Sequence, residues 1–323
     1  MDLSIIIINY KTPVLLQQCL QSLYAFTIDV DFEVIVVDNH SQDNTGEMLE
    51  KYFPVVRFIK MTYNAGFARG NNEGIRQAKG KMVLLLNSDT IVEDNAIGIC
   101  CNNFSISGYV ACGVQLLNPD RTSQISGNYF MKGGLNYLLP LPYVGAMLKC
   151  IAGIFKVKKP NVQHAKGIVE VDWINGAFLM VKRDAIEKAG LLDEDFFLYA
   201  EEAEWCSRLR KIGKLCIYGD LNIIHLQGET ANETFGSSGK GYFNLFDRKG
   251  LQIMLSNFLR IRKQFGVRWF LIDLFFYLFT IPVFFVGMLS SKLIYQNRSK
   301  YTFKQWAAFS KNVFRLIGFS KRL

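Results

Sequence analysis

Histidine is scarce in this chain, with three in 323 residues, and the seven cysteines include no C-x-x-C pair. Neither a structural zinc site nor a disulfide framework fits that usage. Prolines are few, and no repeat or low-complexity tract interrupts the sequence. The first residues, MDLSIIIINY, lack a basic n-region, and their apolar run is too short for a signal peptide. A reducing cytoplasmic setting is the expectation. Acid is nearly absent from residues 260–323, where twelve Lys and Arg face Asp273 alone. Those residues carry +11, leaving −2 on residues 1–259 of a chain whose net charge is +9. The bulk is therefore not a nucleic-acid-binding surface. The tail is dense in aromatics as well as in basic residues, which points to lipid.

Half of the residues are hydrophobic, enough for one large core or a domain with an appendage. Continuous apolar runs with polar tips recur: LSIIIINY (3–10), FEVIVVDN (32–39), VVRFIK (55–60) and MVLLLNSD (82–89). Short, continuous and rich in Val and Ile, they read as buried parallel strands. Thr12 can cap a helix with Pro13 in its first turn, burying Leu16, Cys19, Leu20 and Leu23. A second helix is expected from about Asn71 to Ala78. This alternation predicts an α/β sheet with right-handed crossovers, in which ligands gather at the carboxyl ends of the strands. Asn9-Tyr10, Asp38-Asn39 and Asn87-Ser88-Asp89 would all stand there. Residues 115–168 read as loops and short helices over that edge. Strand and helix return over 171–213, and KLCIYGDLNIIH (214–225) gives one or two strands ending on His225.

Several residues can carry chemistry, each with a plainer alternative. Asp38 suits a carboxylate accepting from a base or ribose, although taken alone a turn or helix cap is the commoner role. Asp89 can hold Mg²⁺ or Mn²⁺ while diphosphate oxygens complete the shell, or can cap a helix over TIVEDNAIG. YNAGFARGNNEGI (63–75) offers glycines for close approach and a helix start for an anion, without matching a nucleotide-binding fingerprint. Glu201, Glu202 and Glu204 open a helix, where the dipole favours acids, and Glu204 is placed to pair with Arg208. Phe197, Leu198 and Tyr199 suggest that these acids are partly buried, as suits a general base. His225 is either a structural hydrogen-bonder or a ligand for a metal shared with Asp89.

In the tail, residues 269–290 are long and apolar enough to cross a bilayer, although Asp273 and Pro282 allow a helix lying in the interface instead. Residues 301–323 alternate aromatics with basic residues, as an interfacial amphipathic helix does. Arg268, Lys292, Arg298 and Lys300 suit a cytoplasmic surface. The expected division is 1–240, split at 114/115 into nucleotide-sugar and acceptor halves, followed by a helical membrane-associated region, 241–323.

Taken in order, SIIIINYK, EVIVVDNHSQDNT, NAGFARGNNEGI, LLLNSDT, the stretch INGAFLMVKRDAIEKAGLLDEDFFLYAEEAEWCSRLRKIG and IIHLQGET resemble family 2 glycosyltransferases. The similarity is to the bacterial rhamnosyltransferase-like subgroup that extends lipid-linked or cell-surface polysaccharides, and it covers about residues 3–230. It implies an α/β GT-A fold. Asp38 would read the nucleobase, with Asn9 and Tyr10 beside it and Asn64, Gly66, Phe67 and Asn72 against the nucleotide. Asn87, Ser88 and Asp89 stand for the D-x-D-type motif, Asp89 holding Mn²⁺ or Mg²⁺ and His225 joining the metal. Trp173, Gly176 and Ala177 would meet the acceptor. The usual Glu-Asp base motif reads Glu201-Glu202 here, with Glu202 in the place of the catalytic Asp and the choice between the two open. The resemblance implies inverting transfer from dTDP-rhamnose, or a UDP-sugar on the same scaffold, to a polyprenyl-diphosphate-linked glycan at the cytoplasmic face of the membrane. A processive synthase is excluded because QFGVRW (264–269) has one residue more than Q-x-x-R-W. A non-catalytic nucleotide-sugar-binding membrane protein is the alternative.

Overall fold

The computed structural model describes residues 1–156, 161–226, 244–294 and 300–320. Residues 227–230 of IIHLQGET, and Arg298, lie outside the described residues. The chain divides into two units. One takes in Met1–Tyr129 and the described part of Asn161–Thr230; the other takes the described parts of Phe130–Pro160 and Ala231–Leu323. The expected 115–240 half therefore gives up residues 130–156 to the unit that holds the C-terminal helices.

The first unit begins with β1 (Leu3–Asn9), α1 (Pro13–Phe26), β2 (Phe32–Asp38), α2 (Thr45–Tyr52), β3 (Arg57–Lys60), α3 (Gly66–Gln77) and β4 (Met82–Asn87). It continues with β5 (Thr90–Ile91), α4 (Ala96–Ser105), β6 (Ala111–Leu117) and β7 (Gly127–Asn128). In the second unit, α5 (Val144–Ile154) follows a 3-10 turn. Back in the first come β8 (Ile168–Val171), β9 (Trp173–Ile174), β10 (Phe178–Lys182), α6 (Arg183–Ala189), α7 (Glu201–Leu209) and β11 (Leu215–His225). The second unit ends with α8 (Arg248–Phe265), α9 (Val267–Ile294) and α10 (Phe303–Ser320).

The main sheet runs β3-β2-β1-β4-β10-β6-β11-β5, with β8 also paired to β11. β1 to β4 are mutually parallel, β10 runs antiparallel between β4 and β6, and β11 is parallel to β6. Ile5, Ile6 and Ile7 are fully buried because helices cover both faces of β1. Leu16, Cys19, Leu20 and Leu23 form the buried face of α1, as the spacing predicts. Thr12 does not cap that helix with its side chain; its hydroxyl donates to Asn9 Oδ1 (3.0 Å).

α3 starts at Gly66, five residues before the expected Asn71, because Asn64 Oδ1 accepts from Gly66 N (3.1 Å) and turns the chain into helix. Gly74 serves packing, not a ligand: a Cβ there would come within 2.5 Å of Ile6 Cγ2. α7 ends at Leu209, and turns carry the chain on to Gly213.

Among the described residues of the second unit one helix, α9, is long and apolar enough to cross a membrane by length and composition. Its buried residues Phe270, Asp273, Tyr277, Thr280, Phe284 and Met288 recur every three or four positions, one stripe of a helix. That stripe meets Phe258 of α8 and Phe309 of α10. The apolar side of α10, expected to face lipid, packs Phe309, Val313 and Leu316 into this core instead.

Candidate functional site

The polar strand tips meet at one edge of the sheet. Asn9 pairs with Asp38 across β1 and β2, and its Nδ2 donates to Asp38 Oδ1 (3.0 Å) and Thr45 Oγ1 (2.9 Å). Asp38 Oδ2 accepts from Ser41 N (3.1 Å), so the turn role weighed for this residue is present. Each carboxylate oxygen keeps a second lone pair. Tyr10 stands half-buried beside this network, with the Lys11 ammonium 5.4 Å from its ring centroid.

At the end of β4, Asn87 N donates to Ala177 O (3.1 Å), tying the Asn-Ser-Asp turn to the start of β10. Ser88 Oγ lies 3.3 Å from Thr12 Oγ1. Asp89 caps no helix: α4 begins only at Ala96, with Asn95 before it. The two-residue β5 pairs Thr90 with His225 and Ile91 with Ile224, and Leu226 N donates to Asp89 O (2.9 Å). This puts His225 Nε2 3.4 Å from Asp89 Oδ1, with the two residues 6% and 8% exposed.

Gln124 decides what those two atoms can do. Its Nε2 donates to His225 O (2.6 Å) and Asn118 Oδ1 (2.8 Å), which turns Oε1 toward His225 Nδ1 at 2.9 Å. In the neutral ring Nδ1 therefore carries the proton and Nε2 is bare. A bare nitrogen and a carboxylate oxygen, both buried, converge with Asn87 Nδ2 3.3 Å from that nitrogen. Such a donor pair suits a divalent cation whose remaining ligands come from a diphosphate and water. No group of three or more His, Cys, Asp or Glu that could hold a metal occurs among the described residues.

On the opposite side, the 64–67 loop lies against the segment that leads into α7. Gly66 has φ +83°, and a Cβ there would fall 2.3 Å from Phe197 O, so only glycine fits. Phe67 N donates to that same carbonyl (2.7 Å). A Cβ on Gly176 would lie 3.6 Å from both Glu202 Cβ and Phe67 Cε1, which brings the three residues together. Ala177 is buried behind them, and Trp173 is half-buried on β9, paired with Asn128. Asn72 does not join them. It is completely buried; its Nδ2 donates to Leu192 O (2.8 Å) and its Oδ1 accepts from Leu192 N (3.0 Å). The contact with nucleotide expected on the resemblance is corrected to a brace for the 192–194 loop.

The acids of α7 divide by environment. Glu204 is committed to Arg208, accepting from Nε (2.9 Å) and Nη2 (2.8 Å), the pairing expected from their spacing. Glu201 is 3% exposed and its Oε2 has no hydrogen-bond partner, whereas Glu202 is half-buried. Phe197 is not the residue that shields them; it is 36% exposed, and Phe196 enters the core. Tyr199 and Ala200 are both left-handed, with φ 73° and 66°, a strained pair of the kind held at functional sites.

Burial first, and then the charge of Glu202, hold the Glu201 carboxyl well above its ordinary 4.5. Unfolded, this group ionises near 4.5 while the folded form stays protonated, so its contribution to stability falls as pH rises above that value. The thermal midpoint of Glu201→Gln should therefore gain on the parent as pH rises from 4.5 to 8. A gap that stays flat across a thermal-melt series would show an unperturbed carboxyl.

Sequence reasoning missed Gln124, which sits in the irregular 115–168 stretch and gains meaning only from the fold that brings it to His225. The strained 199–200 turn was equally invisible, since neither residue is a glycine or asparagine.

Residues 4–165 match Glycosyl transferase family 2. The low-salt glycan biosynthesis hexosyltransferase Agl10 of Haloferax volcanii is 28% identical over 219 residues, covering 65% of this chain. The chain spans 62% of that protein's length, under two thirds. Mannosyltransferase PcManGT from Pyrobaculum calidifontis, in complex with GDP-Man and Mn²⁺, aligns with a TM-score of 0.56 at 12% identity, covering 99% of this chain and 87% of its own. Residues 1–349 of S. aureus TarS, in complex with UDP-GlcNAc, align with a TM-score of 0.52 at 15% identity, covering 98% and 81%. At these identities the structural likeness is one of fold.

Proposed function

Because the chain belongs to glycosyl transferase family 2 and has the α/β GT-A fold, we propose that it is an inverting glycosyltransferase. In this reading it moves a hexose from a nucleoside diphosphate to a hydroxyl of a lipid-linked or cell-surface glycan. The observation that carries the reading is the pairing of two half-sites at one sheet edge. Asp89 faces His225 across 3.4 Å, and Glu202 adjoins Gly176 and Phe67. The motif resemblance makes dTDP-rhamnose the first donor to test and UDP-hexoses the next.

Asp38, Tyr10 and the 64–67 loop would hold the nucleoside, with Asn9 keeping Asp38 in place. Asp89 and His225 would hold Mn²⁺ or Mg²⁺, which when bound neutralises the charge that builds on the departing diphosphate. Glu202 takes the proton from the acceptor hydroxyl as its oxygen attacks the anomeric carbon from the face opposite the diphosphate. The sugar–phosphate bond breaks as the new glycosidic bond forms, and the configuration inverts. Gly176, Ala177 and Trp173 would border the acceptor, and the basic, aromatic tail would keep the protein at the cytoplasmic face of a membrane.

The test is donor turnover by the purified full chain in detergent, with a lipid-linked glycan extract as acceptor. dTDP-rhamnose, UDP-glucose, UDP-galactose, UDP-GlcNAc and GDP-mannose are each supplied with and without Mn²⁺ or Mg²⁺. Metal-dependent nucleoside diphosphate release from one donor is expected. Tight nucleotide binding with no release from any donor would favour a non-catalytic nucleotide-sugar-binding protein.

A further inference from the structure

Length alone lets α9 either cross a bilayer or lie along it, and the packing of the second unit separates the two. We propose that this unit rests on an anionic membrane as a one-sided platform. α9 lies in the interfacial plane with its outer face in lipid, and α5 lies beside it. The inference rests on the membrane-associated part of the reading above and adds its geometry.

Three observations carry it. First, α9 is not a lone apolar rod. Its buried stripe from Phe270 to Met288 runs nearly the whole helix, against α8 and α10. Phe309 of α10 stacks on Tyr277 and meets Phe284, close to the middle of α9. Lys311 and Arg315, both exposed, lie within two turns of Phe309. If α9 spanned the bilayer, α10 would go with it, and two uncompensated cations would sit near the midplane, among the costliest placements a side chain can have. In the interfacial plane the same cations need never leave the headgroup region.

Second, the outward side of α9 is apolar and exposed: Leu271, Phe275, Phe279, Val286 and Leu289. α5 adds Met147, Ile151 and Ile154, with only Val144 and Gly145 of that helix buried. The two helices meet where the Tyr143 hydroxyl lies 3.1 Å from Ser291 Oγ. Beside that contact an apolar crevice of about 390 Å³ is lined by Tyr143, Phe279, Pro282, Val283, Val286 and Gly287, room for an acyl chain. Exposed apolar surface on neighbouring helices needs a cover.

Third, charge names the cover. The +11 of residues 260–323 includes one acid, Asp273, which faces inward and is fully buried. The surface of this segment is therefore cationic wherever it is charged, complementary to anionic phospholipid and not to a basic or neutral partner.

The test uses the full chain with Cys150→Ser, since the six remaining cysteines are buried. Lys263→Cys and Lys300→Cys, exposed positions on either side of α9, are introduced separately. A membrane-impermeant maleimide is applied to sealed spheroplasts and to inverted membrane vesicles of a bacterial expression host. Labelling of both positions in inverted vesicles and of neither in spheroplasts is expected. One position labelled in each preparation would establish a span and overturn the platform while leaving membrane association intact. The purified chain should also float with vesicles containing phosphatidylglycerol, less so as salt rises, and Phe275→Asp with Val286→Asp should cut flotation at least fivefold. Unchanged flotation of that variant would remove the outer face of α9 from the contact. No flotation by the parent chain would overturn the membrane reading itself.

Discussion

Glu202→Gln should bind nucleoside diphosphate as the parent does and transfer sugar ~10²–10⁴-fold more slowly, the range for loss of a general base. The two glutamates are neighbours in sequence and differ in surroundings. Glu201 is buried, and that burial raises its pKa well above the ordinary carboxyl value, which favours its protonated form and makes it the poorer base at a given pH. Glu202 is half-buried, and its stem faces Gly176, where the lack of a side chain leaves room for an incoming group. Gln is nearly the same size as Glu, so the fold should not suffer. Steady-state transfer assays beside nucleotide titrations check this. If Glu201→Gln loses more activity than Glu202→Gln, the base is Glu201 and the burial argument fails.

Asp89→Asn is the second large effect. Loss of a cation that offsets charge on a leaving diphosphate costs several kcal/mol of transition-state stabilisation, roughly 10²–10³-fold in rate. The structure makes an unusual companion demand: this variant should melt no lower than the parent. With the ring neutral, an amide at position 89 keeps the side chain's size and removes a carboxylate that faces the unprotonated Nε2 of His225 at 3.4 Å. The expected signature is lost transfer and lost Mn²⁺-dependent tightening of nucleoside diphosphate binding, with an unchanged or raised thermal midpoint. Calorimetric titration with and without Mn²⁺, beside a melt, reads all three. Metal-dependent binding that survives in Asp89→Asn would remove the cation from this residue.

Much of the site edge was legible because local pattern governs it. Continuous apolar runs ending in Asn9, Asp38 and Asn87 are short and rich in Val, Ile and Leu, as buried strands delivering polar tips are, and the apolar face of α1 follows from its spacing. What escaped the sequence is non-local. His225 reaches Asp89 through a two-residue strand too short to carry periodicity. Asn72 looked like a ligand contact because its partner, Leu192, lies 120 positions away. The glycines of 63–75 offered close approach to a ligand, but only the sheet beneath α3 shows Gly74 set against Ile6. The segment 130–156 joins the helices of the second unit through Leu138, Leu141 and Val144, which lie in a 3-10 turn, a loop and the first residue of α5 and so fall in no single element.

The carbonyl of Phe197 takes a hydrogen bond from the nucleotide-side loop four residues before the chain reaches Glu201. On the proposed reading donor pocket and base would share a wall, and a shift of residues 64–67 would pull through this bond on the backbone that leads to the acids. Substitutions in that loop will register in turnover as well as in donor affinity. A change in kcat from position 66 or 67 is then a report on alignment across the cleft, and a rise in KM alone would be the surprising result.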